Sequence, residues 1–448
     1  MSKLVTQSGK GDSTMKIIVT ALVALFTLVS FGGQAAAAEQ PTKKLIITMR
    51  AKSSADTHLK VLQALGSKSS FKIASNGNSG NEFVALVAEV PADVAAKLKA
   101  GSAAAAKRDV MNLIPNAVSG EIIDVEEDFT TKWIEAAPSF QGAAFPSMET
   151  VLGGLPKLNL TSGAGMTMAS LRPEITWGIE RVKAPAAWDY TQGAKVRVAV
   201  IDTGIYSEHA DLKGKVDGGY DAFTKSELKS AYQDQNGHGT HVAGTIGAIK
   251  DGRGVVGVAP RARLYAVRVL DADGSGSISG IVDGIIWCAN NGIQVANMSL
   301  GSSMPSPTLE RALRYAKAMG VVVVAAAGNS GGSVGYPAAY PETIAVSASD
   351  SSDKIAEFSS RGAEVDFIAP GVSIVSSAMD GGFANFNGTS MAAPHVTGLA
   401  ALAVSQGWVG LDGPDGVFAQ LKKAAKKLPE LSDEQQGNGM IDASKLTR

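Results

Sequence analysis

Val196-Arg-Val-Ala-Val-Ile-Asp202, followed by Thr203-Gly204, decides how this chain folds. The run is short, almost wholly apolar and rich in β-branched residues. Such a segment reads as a strand buried on both faces, the hallmark of a parallel sheet. Its one carboxylate stands at the carboxyl end, where sheets of this kind gather their functional groups. Further along, the spacing predicts strands over 263–269, 293–299, 321–327 and 343–348. Between and after them it predicts helices over about 240–249, 278–290, 308–319, 390–405 and 416–427. Strand–helix alternation implies an α/β domain of three layers, a mainly parallel sheet flanked by helices on both faces. Fifty glycines suit the many tight strand–helix turns of such a fold.

Three more stretches bear chemistry. In Asn387-Gly-Thr-Ser-Met-Ala-Ala-Pro-His395 a Gly-Thr turn brings Ser390 into the first turn of an apolar helix. Free backbone N–H groups and the helix dipole there favour negative charge on whatever the hydroxyl attacks. A serine nucleophile needs a base, and the base needs an orienting acid. His238, within Asn236-Gly-His-Gly-Thr-His-Val-Ala-Gly-Thr245, supplies an imidazole, and small residues around it let a helix start close to other backbone. Asp202 supplies the acid. Asn329 ends Val321-Val-Val-Val-Ala-Ala-Ala-Gly-Asn329 and offers a side-chain amide as a donor beside Ser390. Taken singly, each has a plainer reading: Asp202 or Asn329 as a turn residue, His238 as a local hydrogen-bonding group, Ser390 as a helix cap. Together, and in this order, they read as a nucleophilic site.

Val-Ile-Asp-Thr-Gly (200–204), His-Gly-Thr-His-Val-Ala-Gly (238–244), Ala-Ala-Gly-Asn (326–329) and Gly-Thr-Ser-Met-Ala-Ala-Pro-His (388–395) resemble the motifs of the subtilisin-like serine proteases, the subtilases. The order Asp, His, Ser is also that family's. The resemblance runs from about Trp177 to about Ala443, with Ile175–Ile179 resembling the start of the mature enzymes and Gly437–Ala443 their closing segment. It implies a triad of Asp202, His238 and Ser390 with Asn329 in the oxyanion hole. It implies that Gly274-Ser275-Gly276 and Ser299-Leu300-Gly301 clamp an extended substrate as an added strand. Ala326, Ala327 and Gly328 would line one wall of the primary pocket, with Gly335 near its base. No acid stands among these residues, so large uncharged P1 side chains are expected and strict Lys/Arg selectivity is not. The resemblance further implies a calcium site, with carboxylates from Asp211 and Asp251 and carbonyls from Ile249, Arg253 and Val255; hard oxygen ligands suit calcium. The side-chain amide that the family usually adds is missing from Arg172-Pro173-Glu174. Asp271-Ala-Asp273-Gly-Ser275 is no EF-hand, because Val282 stands where the twelfth-position Glu is required.

The 448 residues allow about three domains by length, and four segments are expected. Met15-Lys16, an apolar run to Phe31 and an Ala-rich stretch to Ala38 read as a secretory signal peptide over 1–38, with Met15 as a plausible true start. Residues 39–128 read as a small α+β unit: strands over 44–50, 83–90 and 122–128, helices over 56–65 and 91–99. It resembles the family's propeptide, which would make it an intramolecular inhibitor. Residues 129–171, rich in Ala, Gly, Pro and Ser, read as a linker containing the maturation site, with a late final cut favoured. Residues 172–448 are the catalytic domain, with no further domain expected after it. A net charge of −1 gives no electrostatic reason for a nucleic-acid or anionic-membrane partner. Protein or peptide substrates, secretion and a monomeric state are expected. The single cysteine, Cys288, lies on an amphipathic stretch and reads as core. His241 and His395 read as packing residues, and no His-Glu-x-x-His motif supports a zinc protease. Two rivals share the same residues: a silent binding protein of this fold, and a ligase that passes the same acyl-enzyme to an amine.

Overall fold

The computed structural model describes residues 42–134, apart from 68, 77–78, 92–93 and 95–102, and residues 174–447. The signal peptide over 1–38, the linker from 135 to 171 and most of the helix expected over 91–99 lie outside the described residues.

Nine strands form the main sheet. In chain order they are β6 (Arg197–Asp202), β7 (Val216–Asp221), β8 (Arg263–Arg268), β10 (Val295–Met298), β11 (Val322–Ala326), β12 (Thr343–Ser349), β13 (Phe367–Pro370), β16 (Ala425–Lys426) and β17 (Met440–Ile441). Their spatial order is β16-β17-β13-β12-β11-β10-β6-β8-β7. Every pairing is parallel except that of β16 with β17. Successive side chains on a strand point to opposite faces, and both faces are buried. Val198 and Val200 of β6, Val322 and Val324 of β11, and Ile344 and Val346 of β12 pack into one core. Ala199 and Ile201, Val323 and Ala325, and Ala345 pack into the other. Helices His238–Gly247 and Thr389–Ser405 cover the first face; Ile278–Asn290 and Pro307–Ala318 cover the second. The sheet is therefore the middle of three layers, as the alternation predicts. Cys288 is buried in the second layer.

Several of the strands that went unforeseen are short or atypical. β7 (Val216–Asp221) carries two glycines and two aspartates, and β16 and β17 are two residues each. Such segments have no periodicity of their own and are strands only because a neighbour's edge pairs with them. The helix of Thr389–Ser405 contains Pro394 as its sixth residue, which deprives the Ser390 carbonyl of its helical donor; the Ser299 hydroxyl donates to that carbonyl instead, at 2.8 Å.

The segment expected as propeptide, called the leader below, builds a four-stranded sheet of order β2-β3-β1-β4 from β1 (Thr42–Arg50), β2 (Ser69–Ala74), β3 (Phe83–Pro91) and β4 (Ile122–Glu127). Period-two alternation again serves two partners. Leu45, Ile47, Val84, Leu86 and Ala88 face the leader's own helices, whereas Ile46, Phe83, Ala85 and Val87 pack onto the large domain. Two leader carboxylates cap helices of the large domain. Asp128 accepts from the backbone N and the hydroxyl of Ser279 at 2.9 and 2.7 Å. Glu126 accepts from Thr308 N at 2.9 Å. Each satisfies a donor that a helix start leaves free. Burial raises the pKa of both carboxyls, against the lowering by these hydrogen bonds.

The structured leader runs past its expected end at residue 128. β5 (Thr130–Lys132) pairs antiparallel with β9 (Ser275–Ser277), and the described chain continues to Ile134. Thr-Thr-Lys, part of the stretch expected as linker, shows no apolar alternation; it is a strand because of the edge it docks on.

Candidate active site

Parallel strands send their carboxyl ends to one rim. β10 lies between β6 and β11, so Asp202 at the end of β6, Ser299–Gly301 after β10 and Asn329 after β11 share that rim. Asp202 is fully buried. Its two carboxylate oxygens accept from His238 Nδ1 at 2.9 and 3.0 Å, and Oδ1 also accepts from Thr203 N at 2.7 Å. His238 begins its helix close to strand backbone. This needs Gly239, since a side-chain carbon there would lie 2.1 Å from the Gly204 carbonyl oxygen. The ring is buried, and its other nitrogen, Nε2, has no hydrogen-bond partner among the described residues. Burial alone would lower the pKa of His238; the charge and hydrogen bond of Asp202, joined by the charge of Asp234, outweigh it and leave the pKa raised above the usual 6.5.

Ser390 stands in the first turn of Thr389–Ser405, a helix whose Met391 and Ala392 share one core with Val242 and Ala243 of the His238 helix. Its hydroxyl donates to the Ser299 carbonyl at 3.3 Å, and the Ser299 hydroxyl donates to the Ser390 carbonyl at 2.8 Å. The hydroxyl is thus directed at Ser299 rather than at the histidine, a looseness common in catalytic hydrogen bonds before substrate engages. Asn329 Oδ1 accepts from both the backbone N and the hydroxyl of Thr389 at 2.9 Å. That fixes the amide and leaves its NH2 group as the donor. A side-chain carbon built on Gly388 would lie 3.5 Å from Ser390 N and 3.6 Å from Asn329 Nδ2, so both donors border one point.

The two segments read as substrate clamps hold an extended peptide, the leader's own. Thr131 pairs with Gly276 and Lys132 with Ser275. Trp133 N donates to the Gly274 carbonyl at 3.0 Å, Gly301 N donates to the Trp133 carbonyl at 2.9 Å, and the Trp133 indole N–H donates to the Gly276 carbonyl at 2.8 Å. Beside this strand lies a cavity of about 290 Å³, lined among others by Leu300, Gly301, Ala326, Gly328, Val334, Gly335 and Ser390. Among the described residues, no charged side chain lines it. Ala327 does not reach it. That residue is fully buried and its carbonyl accepts from Gly335 N at 2.9 Å, so it supports the wall from behind. Strand alternation explains the difference, since Ala326 and Ala327 point to opposite faces.

The subtilase family profile matches residues 193–439. The chain belongs to the subtilase family. Over 279 residues it is 50% identical to alkaline elastase YaB of Bacillus sp. (strain YaB), covering 61% of this chain and 70% of that protein. It is 49% identical over 278 residues to subtilisin Savinase of Lederbergia lenta, covering 61% of this chain and 99% of that one. An alkaline protease of Alkalihalobacillus alcalophilus is 47% identical over 285 residues, 63% of this chain and 72% of the relative. This subtilase is a serine endopeptidase of the subtilisin type.

In the loop read as an ion site, Asp211 and Asp251 accept hydrogen bonds from loop backbone N–H groups, and a third carboxylate joins them. Asp211 Oδ2 accepts from Val255 N at 2.8 Å, its carbonyl accepts from Ile249 N at 2.9 Å, and Asp251 Oδ1 accepts from Arg253 N at 3.1 Å. Glu174, which the sequence offered only as a residue lacking an amide, reaches the same loop: its Oε1 accepts from Asp251 N and Gly252 N at 2.8 and 3.1 Å. Burial first, then the charges of Asp251 and Glu174, raise the pKa of Asp211 against a lowering hydrogen bond from Val255. The carboxylates repel one another, and carboxylate oxygens are ligands that suit a hard divalent cation. Among the described residues, however, no three acidic, histidine or cysteine side chains converge on one point. His209 is held by Gly382 and Asp211 N and takes no part in such a set.

Two sets of contacts escaped the sequence reading. Thr389 fixes the Asn329 amide, and Ser299 engages Ser390 as well as bordering the substrate clamp. Both stood inside quoted motifs, but motifs name residues without naming their partners.

Proposed function

We propose that this subtilase is a secreted endopeptidase made as a self-processing proenzyme, hydrolysing peptide bonds through an acyl-enzyme at Ser390. In this reading Ser390 attacks the scissile carbonyl while His238 Nε2 takes its proton and later passes it to the leaving amine. Asp202 holds the proton on Nδ1 and stabilises the imidazolium. Asn329 and the Ser390 backbone N–H bind the tetrahedral oxyanion. The observation that carries the reading is the two-oxygen contact of buried Asp202 with His238 Nδ1, which leaves Nε2 as the only ring nitrogen free to act. Incubation with a peptide library and mass analysis of the products tests it. Hydrolysis after large uncharged residues is expected, because among the described residues no charged side chain lines the cavity beside Ser390 to pair with a basic one. Strict cleavage after Lys or Arg, or products joined to amines instead of water, would contradict it.

In this proposal the leader, expected over 39–128, acts as the inhibitor, its continuation through Thr130–Lys132 lying in the cleft as a strand, and the final cut falls near residue 172. N-terminal sequencing of secreted protein checks that boundary. Replacing Asn329 by alanine removes one oxyanion donor and should lower kcat by about 10²–10³ with KM little changed, a magnitude that comes from subtilisin itself. Steady-state kinetics reads it directly.

Calcium is the structural ion in this proposal, held by Asp211 and Asp251 with loop carbonyls of Ile249, Arg253 and Val255, and with Glu174 nearby. When bound it neutralises the carboxylates that otherwise repel one another. Excess chelator should therefore lower Tm by several degrees, and added calcium should restore it. A melting curve indifferent to chelator would remove the ion from the account.

A further inference from the structure

Asp234 lies four residues before His238 and plays no part in the proposed proton transfer. It is nonetheless the most heavily bonded carboxylate near the site. Its Oδ1 accepts from the Thr203 hydroxyl at 2.8 Å and from Asn236 N and Gly237 N, both at 2.9 Å. Its Oδ2 accepts from Thr240 N at 2.9 Å and from the Thr240 hydroxyl. The carboxylate is buried.

These partners lie on both sides of the triad. Thr203 directly follows Asp202, whose Oδ1 accepts from Thr203 N, and the Thr203 hydroxyl in turn accepts from Gly239 N at 3.0 Å. Gly237, Gly239 and Thr240 surround His238, and the Thr240 hydroxyl accepts from Tyr206 N at 2.9 Å. One carboxylate thus ties the end of β6 to the loop and first helical turn that present the imidazole. It also caps that helix, supplying an acceptor at the N-terminus where Gly237, as the residue before the first turn, has no side chain to do so.

We propose that Asp234 is a positioning residue for catalysis, holding His238 in register with Asp202 and placing a second negative charge behind the imidazole. The inference rests on His238 being the base. The ionisable groups facing His238 are Asp202, Asp234 and His241. Of these, the two carboxylates favour the imidazolium and His241 opposes it. Removing the charge of Asp234 therefore makes His238 easier to deprotonate.

Asp234→Asn keeps the size and one acceptor oxygen but loses the charge. Its kcat should fall by about tenfold with KM little changed, and the acid limb of kcat/KM should move to lower pH by about half a unit. A purely structural role would lower Tm and leave the acid limb in place; that result overturns the proposal. Thr203→Val is the companion variant if Asp234→Asn fails to fold. It cuts the tie to β6 but keeps the charge, so kcat should fall several-fold with the acid limb unmoved, and an unchanged kcat would overturn the positioning role. Nuclear magnetic resonance titration of His238 in Ser390→Ala protein, with and without Asp234→Asn, reads the same charge without catalysis. A lower His238 pKa there supports the inference, and an unchanged one overturns it. A shift seen by resonance but not in the kinetics would count against His238 as the base while upholding the coupling to Asp234.

Discussion

Ser390→Ala is expected to lower kcat by at least about 10⁴ and to leave the leader attached to the rest of the chain. The size is that of removing a triad member, after which only oxyanion donors and substrate binding still assist the reaction. The substitution removes one weak hydrogen bond, the 3.3 Å contact to the Ser299 carbonyl. A loss of that kind costs about 1 kcal/mol or less, so the variant should fold normally. Asp202 and His238 stay joined, because neither bonds to the serine. Intact mass of the purified protein then reports maturation separately from turnover. A leader that is still removed in pure Ser390→Ala protein would show that another protease cuts it. Preserved hydrolysis would remove Ser390 from the mechanism.

Asp202→Asn should cost nearly as much, about 10⁴ in kcat, for a different reason. Both carboxylate oxygens face His238 Nδ1, so the proton is held there and Nε2 is left bare. An asparagine would offer an NH2 group to Nδ1. The favoured tautomer would then carry its proton on Nε2, the atom that must accept one. The asparagine oxygen can still accept from Thr203 N, so the fold should survive. The pH profile separates this from general damage. Burial pushes the His238 pKa down, while Asp202 pushes it up more strongly through charge and hydrogen bond. Activity needs the neutral ring, so in the wild type kcat/KM should rise with pH through a midpoint above the usual histidine value of 6.5. In Asp202→Asn that limb should shift to lower pH even as the plateau falls. A limb that stays in place would show that Asp202 does not set the base.

The parts of this architecture that the sequence made legible were those with dense local signals. β6 could be read because four β-branched residues precede a single acid, and Ile278–Asn290 because its apolar stripe keeps helical period. The site's principal side chains were legible because each sits in a glycine-rich motif whose spacing leaves few other uses. What escaped was relational. Thr130–Lys132 has no strand pattern and becomes a strand only against Ser275–Ser277. Ala326 and Ala327 look alike in sequence, yet the strand turns one toward the cavity and the other into the core. Glu174 seemed to lack the wanted amide until folding laid its carboxylate on the loop of Asp251. Asp234, Thr389 and Ser299 matter for what they bond to, and no spacing rule gives that.

The most direct test is stoichiometric labelling by a fluorophosphonate, located by peptide mass. One adduct per molecule, on Ser390, is the predicted outcome, with labelling slowed sharply in His238→Ala. Labelling on another residue, or equal labelling without the imidazole, would contradict a serine activated by His238.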